Sequence, residues 1–192
     1  MRHRSLVSIL FVMLTSSVLA DERVDQIRKW YGEIQSAKPE SSSEVQFESK
    51  IDPTSGKMTV RRYPAGLVAI ELAYVSGSHS ASTEYFYFKD GGLFFVFETQ
   101  STWRFDGGTP EKPETMDRDT ENRFYYDDGR CVRQLTRSAE SKDADQLASL
   151  LAEAKQKVVE PDESAAKMLK RSAVLAKAKD EAAVLQALGL ER

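Results

Sequence analysis

Hydrophobic positions change period along this chain, and the changes predict its elements. Between Asp21 and Lys38, Val24, Ile27, Tyr31 and Ile34 recur at helical spacing with Trp30 beside them, which predicts an amphipathic helix. Asp21, Glu22 and Asp25 suit the positive end of its dipole, Pro39 stops it, and Glu40 to Ser43 form a polar connector. From about Glu44 to Thr136 the pattern is that of strands. Val45, Phe47 and Ile51 open it, Asp52 to Gly56 has turn composition, and Met58 to Tyr63 returns. Pro64 and Gly66 punctuate before the apolar run Leu67 to Val75, and Gly77 to Ser80 makes a further turn. Tyr85 to Phe88 and Leu93 to Phe97 flank Lys89-Asp90-Gly91-Gly92, the strongest hairpin signal in the chain. Trp103 and Phe105 extend the sheet, and Thr109 to Thr120, with Pro110 and Pro113, reads as a polar loop. A second hairpin follows, with Phe124 to Tyr126 and Cys131 to Leu135 around Asp127-Asp128-Gly129-Arg130.

The two hairpins align residue by residue at an offset of 38 positions: Phe86 on Phe124, Tyr87 on Tyr125, Asp90 on Asp128, Gly91 on Gly129, Leu93 on Cys131. A duplicated hairpin unit is the natural reading, with a weaker third copy from Phe47 to Val60 around Gly56. Beyond Ala139 the chain is rich in Ala, Lys, Glu and Leu. Ala144, Leu147, Leu151, Ala154 and Val158 form one helical face ending before Pro161. Asp162 can cap a helix carrying Ala165, Leu169, Ser172 and Ala176, and Ala182 to Leu188 continues it or forms a separate piece. This tail has few large apolar residues, so it reads as an appendage or as a cover.

A cover is needed somewhere. Strict alternation sends Tyr85 and Tyr87 to one side of the sheet and Phe86 and Phe88 to the other, and splits Leu93, Phe95 and Phe97 from Phe94 and Val96. Both faces are apolar, and full burial of one Phe is worth roughly 1.5–3 kcal/mol. The N-terminal helix can cover one face. The C-terminal helices, a second layer or a ligand must cover the other. The fold class expected is α+β: an N-terminal helix packed on an antiparallel, hairpin-built meander sheet, with a C-terminal helical extension. Residues 1–20, 21–137 and 138–192 are its three segments.

Residues 1–20 read as a secretory signal peptide. Arg2, His3 and Arg4 give a positive start, Leu6 to Leu14 an apolar run, and Val18-Leu19-Ala20 a cleavage site after Ala20. The apolar run is short for a membrane anchor, so a secreted or periplasmic protein without a transmembrane span is expected. The 192 residues carry 27 Lys or Arg and 30 Asp or Glu, a net charge of −3 with a mean hydropathy of −0.47. That balance, without a basic block, argues against nucleic acid as a partner. Cys131 is the single cysteine, so no intramolecular disulfide or thiolate metal cluster can form.

Candidate chemistry is sparse. His79 is the only histidine beyond the signal segment, in a serine-rich turn without a nucleophile-elbow pattern. Asp117, Asp119 and Glu121 alternate but lack the rest of a calcium-loop pattern. No phosphate loop is present, and no cofactor, metal or catalytic residue is assigned. His79 and Glu84 are the weak choices for a hydrolase of envelope sugars or peptides. Ligand-binding candidates are Phe86, Phe88, Phe94, Phe95 and Trp103.

Asp25-Gln26-Ile27-Arg28-Lys29-Trp30-Tyr31 and the two hairpins resemble a group of uncharacterised secreted bacterial proteins. These combine an N-terminal helix with aromatic hairpins closed by Asp-Gly or Asn-Gly. More distantly the hairpins are similar to membrane-occupation-and-recognition-nexus (MORN) repeats. The resemblance implies no catalytic residue. The function expected is an exported, non-enzymatic binding protein of the cell envelope, its partner an envelope protein or a small hydrophobic ligand. The alternative is a carrier using an aromatic sheet face.

Overall fold

A computed structural model describes residues 8–191, with side chains described from Glu22 onward. The first seven residues of the expected signal segment lie outside the described residues. Helix α1 (Ser8–Ser36) is followed by β1 (Ser41–Glu48), β2 (Thr54–Tyr63), β3 (Leu67–Ser76), β4 (Ser80–Lys89) and β5 (Gly92–Thr109). Then come β6 (Lys112–Asp127), β7 (Arg130–Ser141), α2 (Ala144–Glu153), β8 (Lys157–Val159), α3 (Glu163–Leu175) and α4 (Glu181–Leu188). All eight strands form one sheet in sequence order, every neighbouring pair antiparallel. The architecture is therefore the α+β meander that the hairpin signals predicted. Among the described residues, no helix is long and apolar enough to cross a membrane.

Both sheet faces are covered by the chain itself. On one side Val24, Ile27 and Ile34 of α1 pack against Leu67, Ala69, Tyr87, Phe94, Phe95 and Tyr125. On the other, Ala165, Met168 and Leu175 of α3 and Val184 of α4 pack against Met58, Ile70, Leu72, Phe86, Val96 and Phe124. The buried stripe of α3 runs through Met168 and Leu175, and the exposed Ala176 lies beyond its end. Tyr126 anchors the N-terminal half of α3, its hydroxyl donating to the Ala165 carbonyl at 2.7 Å. Asp162 caps that helix as expected, accepting from the Ser164 amide at 2.9 Å.

The duplicated hairpins share more than composition. Asp90 and Gly91 sit at φ 50° and 83°, and Asp128 and Gly129 at 45° and 72°, so each turn has two consecutive left-handed residues. Each hairpin also carries one extra residue at the same place. Tyr87 pairs with Phe95 and Phe88 with Leu93, leaving Phe94 between them. Tyr125 pairs with Arg133 and Tyr126 with Cys131, leaving Val132. This bulge corrects the alternation expected for β5. Phe94, Phe95 and Phe97 all face α1, while Leu93 and Val96 face α3 and α4. Gly129→Val is expected to cost about 1–3 kcal/mol, because a β-branched residue resists positive φ. A Cβ there would meet nothing within 4 Å, so the whole cost is backbone strain. Thermal melts of Gly129→Val and the milder Gly129→Asn check it, with Val the lower of the two.

Three further expectations are corrected. Thr109 to Thr120 is not a loop: β5 and β6 continue as a long arm that turns only at Pro110 and Glu111. Polar pairing replaces the missing apolar pattern there. Arg104 and Arg118 reach Glu140 of β7 at 3.2 and 3.6 Å, and Lys142 reaches Glu114 at 2.6 Å and Asp106 at 3.3 Å. Val158 leaves the helical face assigned to it, because α2 stops at Glu153 and Val158 pairs with Leu135 in β8. β-branched Val158-Val159 suits that strand better than a helix. Finally, Gly56 lies inside β2 opposite Phe47 and forms no third hairpin turn. A Cβ on it would stand 2.3 Å from the Ala73 carbonyl oxygen, 2.7 Å from Tyr74 Cβ and 2.8 Å from the Phe47 ring, so glycine admits both the neighbouring strand's backbone and the ring.

Candidate functional site

The five aromatic candidates do not share one site. Phe86 and Phe88 face α3 and α4, whereas Phe94 and Phe95 face α1. Trp103 lies far along the arm, stacked on His79 at 4.0 Å between ring centres, its Nε1 donating to the Ser78 carbonyl at 2.6 Å. Three of them line three different cavities. Phe95 borders a crevice of about 280 Å3 with Tyr31, Phe97 and Arg123. Trp103 borders one of about 410 Å3 beside α2, with Asp117 and Asp119. Phe88 borders a trough of about 360 Å3 between the sheet and the end of α3. Phe86 and Phe94 belong to the closed core, at 0% and 2% exposure.

The trough has a floor of core residues. Register explains its floor. Ser43, Val60 and Ile70 stand in one cross-strand row, and Arg62, Val68 and Phe88 in the next. Val45 and Met58 continue it, and Leu175, Ala176, Ala178 and Lys179 form the helical wall. Met58, Val60, Ile70, Phe88 and Leu175 are core residues, so the core opens here onto solvent. Alternation in β2 puts Arg61 and Arg62 on opposite faces. Arg61 bonds Glu71 at 2.8 Å on the α1 side, and Arg62 stands at the trough. Sequence reasoning missed Arg62, although an arginine two residues after Val60 on an apolar face was a legible signal. It also missed Lys179, which lies in the connector between α3 and α4 and acquires its position only through tertiary packing.

A buried polar cluster lies farther along the same face. Arg171 donates to Glu84, and Tyr74 donates to Glu84 Oε1 at 2.9 Å. Glu84 is 0% exposed and Arg171 5%. Burial and the neighbouring Glu84 charge push the Tyr74 phenol up to about 12, so it stays a donor. Glu98 pairs across the strands with Glu84 and accepts from Asn122 Nδ2 at 2.8 Å. Burial holds its carboxyl above the ordinary range, and Glu84 adds to this. A carboxyl raised by folding stabilises the protein below its unfolded pKa, and that contribution is lost as pH rises through the folded value. Glu98→Gln is therefore expected to melt above the parent at pH 8, with the difference shrinking as pH falls towards 4.

Neither weak hydrolytic choice finds a catalytic setting. Glu84 is taken up by Arg171 and Tyr74. The His79 ring lies 3.0 Å from Ser78 Oγ and stacks on the Trp103 ring. Burial pushes the Cys131 thiol up, against thiolate chemistry. Among the described residues, no three His, Cys, Asp or Glu side chains are placed to hold a metal ion. What fold and site define together is an α+β meander sheet with helices on both faces and an apolar trough at one corner. Comparison with known proteins returns no matching family model, no similar curated protein and no similar solved structure.

Proposed function

We propose that this chain is an exported, non-catalytic binding protein of the cell envelope, whose ligand is a hydrophobic molecule held in the trough. One observation carries the reading: core side chains of three strands and a helix, Met58, Val60, Ile70, Phe88 and Leu175, line an open volume of small-molecule size. The basic and apolar pattern of residues 1–20 supports export, with Asp21 as the first residue of the mature chain. A secreted or periplasmic location follows from that pattern.

N-terminal sequencing of the protein secreted from the full-length gene tests the first half, with Asp21 expected and Met1 contrary. Titration with an environment-sensitive apolar dye tests the second. Val68→Trp fills the trough from a half-buried position on its floor. Binding is expected to fall at least tenfold while the melting transition stays cooperative. Unchanged dye binding in a folded Val68→Trp protein would overturn the trough as the site. A protein partner is the second reading, favoured by Phe105, which is 65% exposed beside Trp103 on the arm.

A further inference from the structure

We infer that the trough takes a single-chain amphiphile with an anionic head, a long-chain carboxylate, held at the mouth by Arg62 and Lys179. The inference rests on the reading of the trough as the ligand site and adds what its rim selects. A volume of about 360 Å3 is near the lower end of small-molecule sites and suits one chain rather than two. The rim carries two cations, Arg62 and Lys179, and one carboxylate, Glu44, which Lys57 already pairs at 3.0 Å. Arg62 and Lys179 both line the cavity, and no carboxylate among the described residues pairs with either.

Glu44 and Asp180, which flank the rim, are each engaged by other groups. Glu44 borders the trough, but its carboxylate is held by Lys57 at 3.0 Å. The Asp180 carboxylate caps α4, accepting from the Ala183 amide at 3.0 Å. Arg62 stands in the same cross-strand row as Val68 and Phe88 and lines the trough as an exposed residue beside that apolar floor. That order, apolar floor then cation then solvent, matches a chain ending in a carboxylate, which a guanidinium meets with two parallel hydrogen bonds. A neutral head would leave both cations as they are. A cationic head would be repelled.

The test compares palmitate with the uncharged monopalmitoyl glycerol on the mature protein, delipidated, at pH 8 and low salt, by displacement of the apolar dye. Palmitate is expected to bind roughly three- to tenfold tighter, as two partly exposed ion pairs allow. The preference should vanish in Arg62→Gln/Lys179→Gln and shrink in 0.5 M salt, with monopalmitoyl glycerol unaffected. Arg62 and Lys179 are exposed, so the double variant is expected to melt with the parent. Equal binding of the two lipids by the parent would overturn the anionic head and leave the trough standing. A preference for palmitate that survives the double substitution would overturn the clamp. Binding of neither lipid would remove the trough reading itself.

Discussion

Replacing Arg171 by alanine is expected to lower stability by about 3–5 kcal/mol, because it strands a buried charge. Glu84 has no solvent exposure, its Oε2 already lacks a partner, and Tyr74 would be left as its only donor. Glu98, on the next strand, would add a second carboxyl to an uncompensated site. Guanidinium also donates to the Ala187 carbonyl at 3.2 Å, so α3, α4 and the sheet lose their common tie at once. Equilibrium denaturation at pH 7 measures the loss. Glu84→Gln/Arg171→Met removes both charges and is expected to recover most of it, since apolar replacement of a whole buried pair is often neutral or better. A loss below about 1 kcal/mol in Arg171→Ala would mean that water reaches Glu84.

A chain ending at Lys142 is expected not to fold cooperatively. It keeps β1 to β7 and α1, yet loses α2, β8, α3 and α4, and with α3 and α4 the cover of Phe86, Phe124, Tyr126, Met58, Ile70 and Leu72. At roughly 1.5–3 kcal/mol for each large side chain returned to water, the loss is comparable with the entire stability of a domain, about 5–15 kcal/mol. Such a fragment should bind apolar dyes strongly, aggregate and show no sharp melt. A cooperative transition near that of the full chain would make the tail an appendage after all. That reading came from its composition, and composition misled because much of the tail's contribution is made by Met168, Leu175, Val184 and the arginine between them.

The hairpins were legible because Asp-Gly between aromatic runs specifies both a turn and its strands, and α1 because its apolar positions hold one period. What was not legible follows from contacts between distant residues. The arm beyond Trp103 is a strand pair without an apolar pattern, and its order comes from Glu140, Lys142 and their partners on other strands. The bulge at Phe94 adds one residue, and every alternation argument past it changes side. For the site, Phe88 and Phe95 were recognisable as unusual, but alternation alone could not say that helices would close over Phe86 and Phe94 and stop short of Phe88. Arg171 was open to inference, standing three residues after Met168 and four before Leu175 on the buried side of α3.

The strand order has a consequence for how this molecule is made. Each strand pairs with its predecessor in the chain, so sheet contacts are short-range in sequence and the sheet can grow hairpin by hairpin as the chain is delivered from its N-terminus. The α1 side is complete as soon as β7 has formed. The other side waits for the last thirty or so residues, and until they arrive the growing sheet exposes an oily surface to its surroundings. Synthesis order thus gives the two faces different histories: one closes early and within its own neighbourhood, and the other spends the longest time open.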